Sequence, residues 1–158
     1  ENFIENSRNT KTDLDILAKE IIEGFPDSLY ADLVTFHLAK LEVDKDNFFA
    51  AEQLFLTVLK KHSSSWKKDF DPIELAARQR LARVLVADNR PQEAIDLINE
   101  AESLNNSLYE TKGDAELRLG LLKEARLSYL KAIETTQNQS IKSIIQMKLA
   151  DIEKENSR

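Results

Sequence analysis

Few residues in this chain have side chains suited to chemistry. His37 and His62 are the only histidines among the 158 residues, and there is no cysteine. A disulfide framework, a thiolate metal site and a cysteine nucleophile are therefore excluded. His37 falls inside a helical pattern and His62 inside a basic run, and no spacing sets either beside the other or beside a carboxylate cluster. HExxH, GxxxxGK[ST], GxGxxG and GxSxG are all missing, so no zinc helix, phosphate loop or serine elbow is written here. "KGD" (112–114) and "RLG" (118–120) cannot cradle a phosphate. The acidic residues are spread out, mostly at helix-pair distance from Lys or Arg. Asn105 and Asn138 each begin an N-x-S triplet and read as turn residues. The expectation is a protein without catalytic residues, cofactor or metal.

Two clusters suit binding better. Lys60, Lys61, His62, Lys67 and Lys68 surround Trp66, which reads as a solvated loop whose indole packs back on a helix. Arg78, Arg80 and Arg83 form the second cluster. The chain as a whole is acidic, with a net charge of −6 and a pI near 5.1. That argues against nucleic acid, whose phosphates call for a basic face. The longest uncharged apolar stretch, "QLFLTVL" (53–59), is too short to cross a bilayer. The opening "ENFIENSRNTKTD" has neither a basic start nor an apolar signal core, and residues 1–12 are expected to be a flexible segment.

The elements that must position these groups are helices. Apolar residues make up 42% and charged ones 32%, and there are only three glycines and three prolines, which disfavours turn-rich β folds. "TDLDILAKEIIEGF" stripes Leu14, Leu17, Ala18, Ile21 and Ile22 and stops at Gly24 and Pro26. Helices follow over about 27–44 and 46–61. Asp71, Pro72 and Glu74 start a fourth, running to about 88. Pro91 and Glu93 open a fifth that carries Ala94, Leu97, Ile98 and Ala101. Ser107 and Glu110 read as the capping box of a sixth. A seventh spans about 121–135, and the last stripes Ile141, Ile144, Ile145, Leu149 and Ile152. No stretch alternates with period two.

The helices repeat. Twelve residues before Ala51, Ala94 and Ala125 stand Ala39, Ala82 and Gly113. Four after them stand Phe55, Ile98 and Tyr129, and seven after them Val58, Ala101 and Ala132. Asp46, Asn89 and Gly120 sit where each pair must turn. This is the small-residue pattern of a tetratricopeptide repeat, because two helices approach closely only where small side chains cross. Gly113 is expected at the crossing and Gly120 at the turn. The fold class is all-α: tetratricopeptide-like helix-turn-helix repeats stacked as a short superhelix, with a C-terminal capping helix. One domain is expected over 13–155, with 61–72 as an inter-repeat loop. The register turns Lys40, Arg83 and Asp114 towards the concave side. Phe36, Val43, Gln79, Arg80, Val86, Glu110 and Leu117 are expected in the same groove, which would suit a polypeptide ligand.

With the repeat in place, three stretches resemble one family. "LAARQRLARVLVADNRPQEAIDLI" (75–98), "KGDAELRLGLLKEARLSYLKAI" (112–133) and "IIQMKLADI" (144–152) follow the order found in the tetratricopeptide-like ancillary subunits of the bacterial Sec translocon. The resemblance runs from about residue 13 to 152. It implies a single N-terminal membrane anchor, lying upstream of residues 1–12, with the repeat domain in the periplasm at the inner membrane. It also implies partners: the translocon, a membrane-anchored prolyl-isomerase-type chaperone and secreted client chains. No catalytic residue comes with it. The stretch 61–72 is longer than the family's usual connection. The alternatives are a cytoplasmic tetratricopeptide adaptor and a regulatory or stress-response binding protein.

Overall fold

A computed structural model describes residues 16–63, 71–101 and 103–156. Residues 16–24 are helical (α1). They are followed by α2 (Leu29–Val43), α3 (Phe48–Ser63), α4 (Pro72–Ala87), α5 (Pro91–Asn99), α6 (Asn106–Arg118), α7 (Leu122–Glu134) and α8 (Gln139–Asn156). No strand occurs among the described residues. The expected all-helical fold is therefore the fold found.

Local chemistry sets most of the starts. Ser28 Oγ accepts from the Ala31 amide at 3.1 Å and caps α2. Asp71 Oδ1 accepts from Ile73 and Glu74 at 2.7 and 3.2 Å, and Pro72 begins α4 where its missing N–H costs nothing. Asn138 Oδ1 takes the amides of Ser140 and Ile141 at the start of α8. For α6 the expected box of Ser107 and Glu110 does not form. Asn105 is the cap, accepting from Leu108 N at 3.0 Å. Ser107 lies two residues further in, buried, with its carbonyl bonded to the Thr111 hydroxyl.

The chain divides into two compact units, Glu1–Ser65 and Trp66–Arg158. The division falls inside the stretch expected as a loop, although residues 61–63 still belong to α3. Trp66, Lys67 and Lys68 lie outside the described residues. In the first unit α2 packs on α3. In the second, α4 packs on α5, α6 on both of these and on α7, and α7 on α8.

All three pairs turn in the same way. Asp46, Asn89 and Gly120 have φ of +57°, +59° and +75°, the left-handed conformation that glycine enters without cost and asparagine or aspartate at a small one. In each turn two backbone bonds recur. Asp46, Asn89 and Gly120 donate to Val43, Val86 and Leu117, and the next residues, Asn47, Arg90 and Leu121, donate to Glu42, Leu85 and Glu116. This nested pair of bonds satisfies carbonyls that a helix end leaves open.

The crossing positions are filled as the register requires. Ala39, Ala51, Ala82, Ala94, Ala125 and Ala132 are fully buried, with Phe55, Ile98 and Tyr129 beside them. Gly113 meets Tyr129 so closely that a Cβ there would lie 2.6 Å from Cε1 of the ring. Ala101 departs from the pattern, because α5 ends at Asn99 and leaves it half-buried in the connection. The 31 residues from Ala94 to Ala125 fall short of the ideal 34 by about one helical turn, and α5 is the helix that gives it up.

Candidate interaction surface

In the first unit the polar residues serve the α2–α3 pair. Asp32 is buried and takes Lys61 Nζ at 2.8 Å and His62 Nε2 at 3.0 Å, while Lys61 also reaches the Pro26 carbonyl at 2.8 Å. The basic run at the end of α3 is thus partly an internal clamp, and His62 does have a carboxylate neighbour that its sequence position gave no sign of. Phe36, expected in the groove, is buried instead, with its ring 6.0 Å from that of Phe55. Its apolar bulk is worth more against a second ring than in water. Lys40 is exposed and bonds Asp44 at 3.1 Å. Val43 is half-buried at the turn.

In the second unit the three arginines part company. Arg78 is buried and ties α4 to the end of α5, donating to the Leu97 carbonyl at 2.7 Å and to Glu74 at 2.8 Å. Arg83 reaches Ser107 Oγ on α6 at 2.8 Å. Arg80 is exposed. Gln79 is half-buried, and Val86 is in the core rather than in a groove, because the turn folds it under.

Glu110, Asp114 and Leu117 are taken up by the last helix. Lys148 of α8 bonds Glu110 at 2.8 Å and both oxygens of Asp114 at 2.7 and 2.9 Å. Its ammonium also stands 5.6 Å above the ring of Tyr129. Leu117 packs against the cluster of Tyr129, Ile145 and Ile152. Position 110–117, offered by the register as a ligand groove, is therefore filled within the chain.

The electrostatics follow from that filling. The Tyr129 phenol is raised far above its usual range by burial and by the Asp114 carboxylate, to which it donates at 2.6 Å. Burial works against the charge on Lys148, yet its bonds to Asp114 and Glu110 outweigh that and raise it. Burial also raises the Glu116 carboxyl, partly offset by the Ser128 hydroxyl at 2.6 Å. These groups hold helices together.

The tetratricopeptide repeat-like domain family matches residues 2–154. The chain belongs to that family. No curated protein and no solved structure matches it. A tetratricopeptide-like domain is typically a non-catalytic module for binding proteins, and that is the reading the family gives this chain. Among the described residues no group of three or more acidic or histidine side chains could hold a metal ion. No helix among them is long and apolar enough to cross a membrane. Of the ten groove candidates of this tetratricopeptide-like domain, Lys40, Arg80 and Arg83 are exposed, in two separate units.

Proposed function

We propose that this tetratricopeptide-like domain is a docking module of the bacterial secretion machinery. In this reading it stands in the periplasm, held at the inner membrane by an anchor N-terminal to it. It binds Sec translocon subunits and a membrane-anchored prolyl-isomerase-type chaperone, and it assists secreted chains as they emerge. The observation that supports the reading is where the three family-like stretches lie in the repeat. "RLARV" builds the crossing of α4, "GD" the close approach of α6 to α7, and "QMKL" the strap from α8 to α6. All three serve the packing of successive helix pairs in the second unit, which suits a scaffold whose use is recognition. The candidate contacts are the exposed basic side chains of α4, Arg80 and Arg83, for an acidic or extended polypeptide.

In-cell crosslinking of the full-length protein with mass spectrometry tests this, comparing the native chain with Arg80→Glu and Arg83→Glu. Capture of translocon or periplasmic chaperone subunits, reduced at least tenfold in the variants, is the expected outcome. Capture that survives both variants keeps the partners and removes α4 as the site. Capture of cytoplasmic proteins alone overturns the function.

A further inference from the structure

The last helix repeats the first helix of each pair. "FHLAKLEV" (36–43), "QRLARVLV" (79–86), "ETKGDAEL" (110–117) and "MKLADIEK" (147–154) align with Ala39, Ala82, Gly113 and Ala150 in register. The core positions of α8 agree: Ile145 and Ile152 are buried as Leu108 and Ala115 are in α6. Ala39 and Ala82 are fully buried under their second helices, whereas Ala150 is exposed. Beside it Met147 and Ile144 are 62% and 47% exposed. So α8 is the first half of a repeat, with its crossing face open.

The other end has the converse gap. Aligned on Ala39 and Ala150, residues 16–43 match 127–154 without an insertion, so that α1 and α2 correspond to α7 and α8. The latter two are spanned by α6: Ser128 bonds Glu116, Tyr129 bonds Asp114, and Lys148 bonds Glu110 and Asp114. The residues equivalent to Ser128 and Lys148 are Leu17, 51% exposed, and His37, also exposed. Tyr30 and Leu33 beside His37 on α2 are 75% and 50% exposed. What lies over α7 and α8 is a first-half helix. Over α1 and α2 no described helix holds that place, and Leu17, Tyr30 and Leu33 make it apolar.

We propose that copies of this chain associate head to tail, with α8 of one copy lying over α1 and α2 of the next and completing the repeat. Two features select a second copy as the occupant. Among the described helices α8 is the one first-half helix whose crossing residue is exposed, and small residues there are what close helix approach requires. The polar groups also complement each other as hydrogen-bond partners: Asp151 holds the place of Asp114, and His37 that of Lys148. The strap seen within the chain is re-formed between copies as Asp151 to His37, with Asp151 leaving its surface bond to Lys154. Met147 and Ile144 then cover Leu33 and Tyr30. Such a contact uses two different faces, so copies can add at either end unless they close on one another. It does not depend on the secretion reading.

Sedimentation equilibrium of the purified chain over a range of concentrations tests it, alongside Leu33→Asp and Ala150→Arg. Both substitutions are at exposed positions, and circular dichroism checks that each variant is folded. The expected result is a mass that rises with concentration above that of the monomer. Each variant alone weakens association at least tenfold. Mixed in equal amounts, the variants restore one good interface and stop at a dimer. A native chain that is monomeric throughout overturns the proposal. So does a closed dimer indifferent to Ala150→Arg, or a mixture that stays monomeric.

Discussion

In the first pair Ala39 and Ala51 are buried at the crossing, and Phe55 packs beside them against Phe36. In the third pair Gly113 stands where Ala39 does, and the ring of Tyr129 occupies the space its missing Cβ leaves. Polar fastenings differ as well. Asp32 joins the end of α3 through Lys61 and His62, whereas Asp114 joins Tyr129 and, through Lys148, a helix beyond the pair. One repeat plan thus tolerates either an apolar or a hydrogen-bonded bulky residue on the second helix. The first helix must give up volume to match. The close-packed interior makes the two choices a single one.

Truncating the bulky residue should have the largest effect in both pairs. Tyr129→Ala and Phe55→Ala each remove a ring from a fully packed site and should cost about 3–5 kcal/mol, read from urea unfolding. Tyr129→Ala should be the worse, because it also strips a partner from Asp114. If Phe55→Ala is clearly the costlier of the two, the hydrogen bond contributes nothing to the difference between the pairs.

Gly113→Ala comes next. The added methyl would sit 2.6 Å from Cε1 and 2.7 Å from Cδ1 of Tyr129, and overpacking of this kind costs about 1–3 kcal/mol. In a Tyr129→Leu background the clash is relieved, and the substitution should become neutral or gain up to about 1 kcal/mol from helix propensity. A cost that stays the same in both backgrounds would mean the glycine is not there for the ring.

This much was legible in the sequence, because a glycine in a helix of good formers has few explanations and the alanines repeat at fixed offsets. The turns were legible for the same reason: Asp46, Asn89 and Gly120 are types that tolerate positive φ. What the sequence did not disclose are the long-range polar bonds. Asp32 lies 29 and 30 residues from Lys61 and His62, and Lys148 lies 34 and 38 from Asp114 and Glu110. Nothing in local periodicity links them. The register turned Asp114 towards a groove, and it could not say that α8 would reach it. Phe36 and Val86 were misplaced because a helix face has no sharp edge in sequence, and neighbouring stripe positions divide between core and groove. Ser107 and Asn105 are both good caps two residues apart, so chemistry alone could not choose between them.

Alkaline pH should act on the third pair through two groups. The folded state keeps the Tyr129 and Lys148 protons where an unfolded chain releases them, near pH 10.0 and 10.5. The folded state then binds more protons, so stability present below that window is lost as pH rises through it. Each group contributes up to about 1.4 kcal/mol per pH unit. Urea midpoints measured on either side of pH 10.0 should fall less steeply in Tyr129→Phe than in the native chain. Equal slopes would mean that the phenol is no harder to ionise than in the unfolded chain.

The smallest effects lie at the turns, where the three pairs are most alike and can be compared residue for residue. Gly120→Ala places a Cβ at φ +75° with nothing within 4 Å to clash. Its cost is the backbone strain alone, about 1–2 kcal/mol. Asn89→Gly and Asp46→Gly run the other way. Each removes a small left-handed penalty, while the glycine loses more freedom on folding. The two effects nearly cancel, leaving a change of about 0.5 kcal/mol or less in either direction. Measured together, the three substitutions separate backbone conformation from packing. A Gly120→Ala cost as large as that of Gly113→Ala would place the third pair's sensitivity in its turn. A cost near zero would mean that the turn relaxes out of the left-handed conformation.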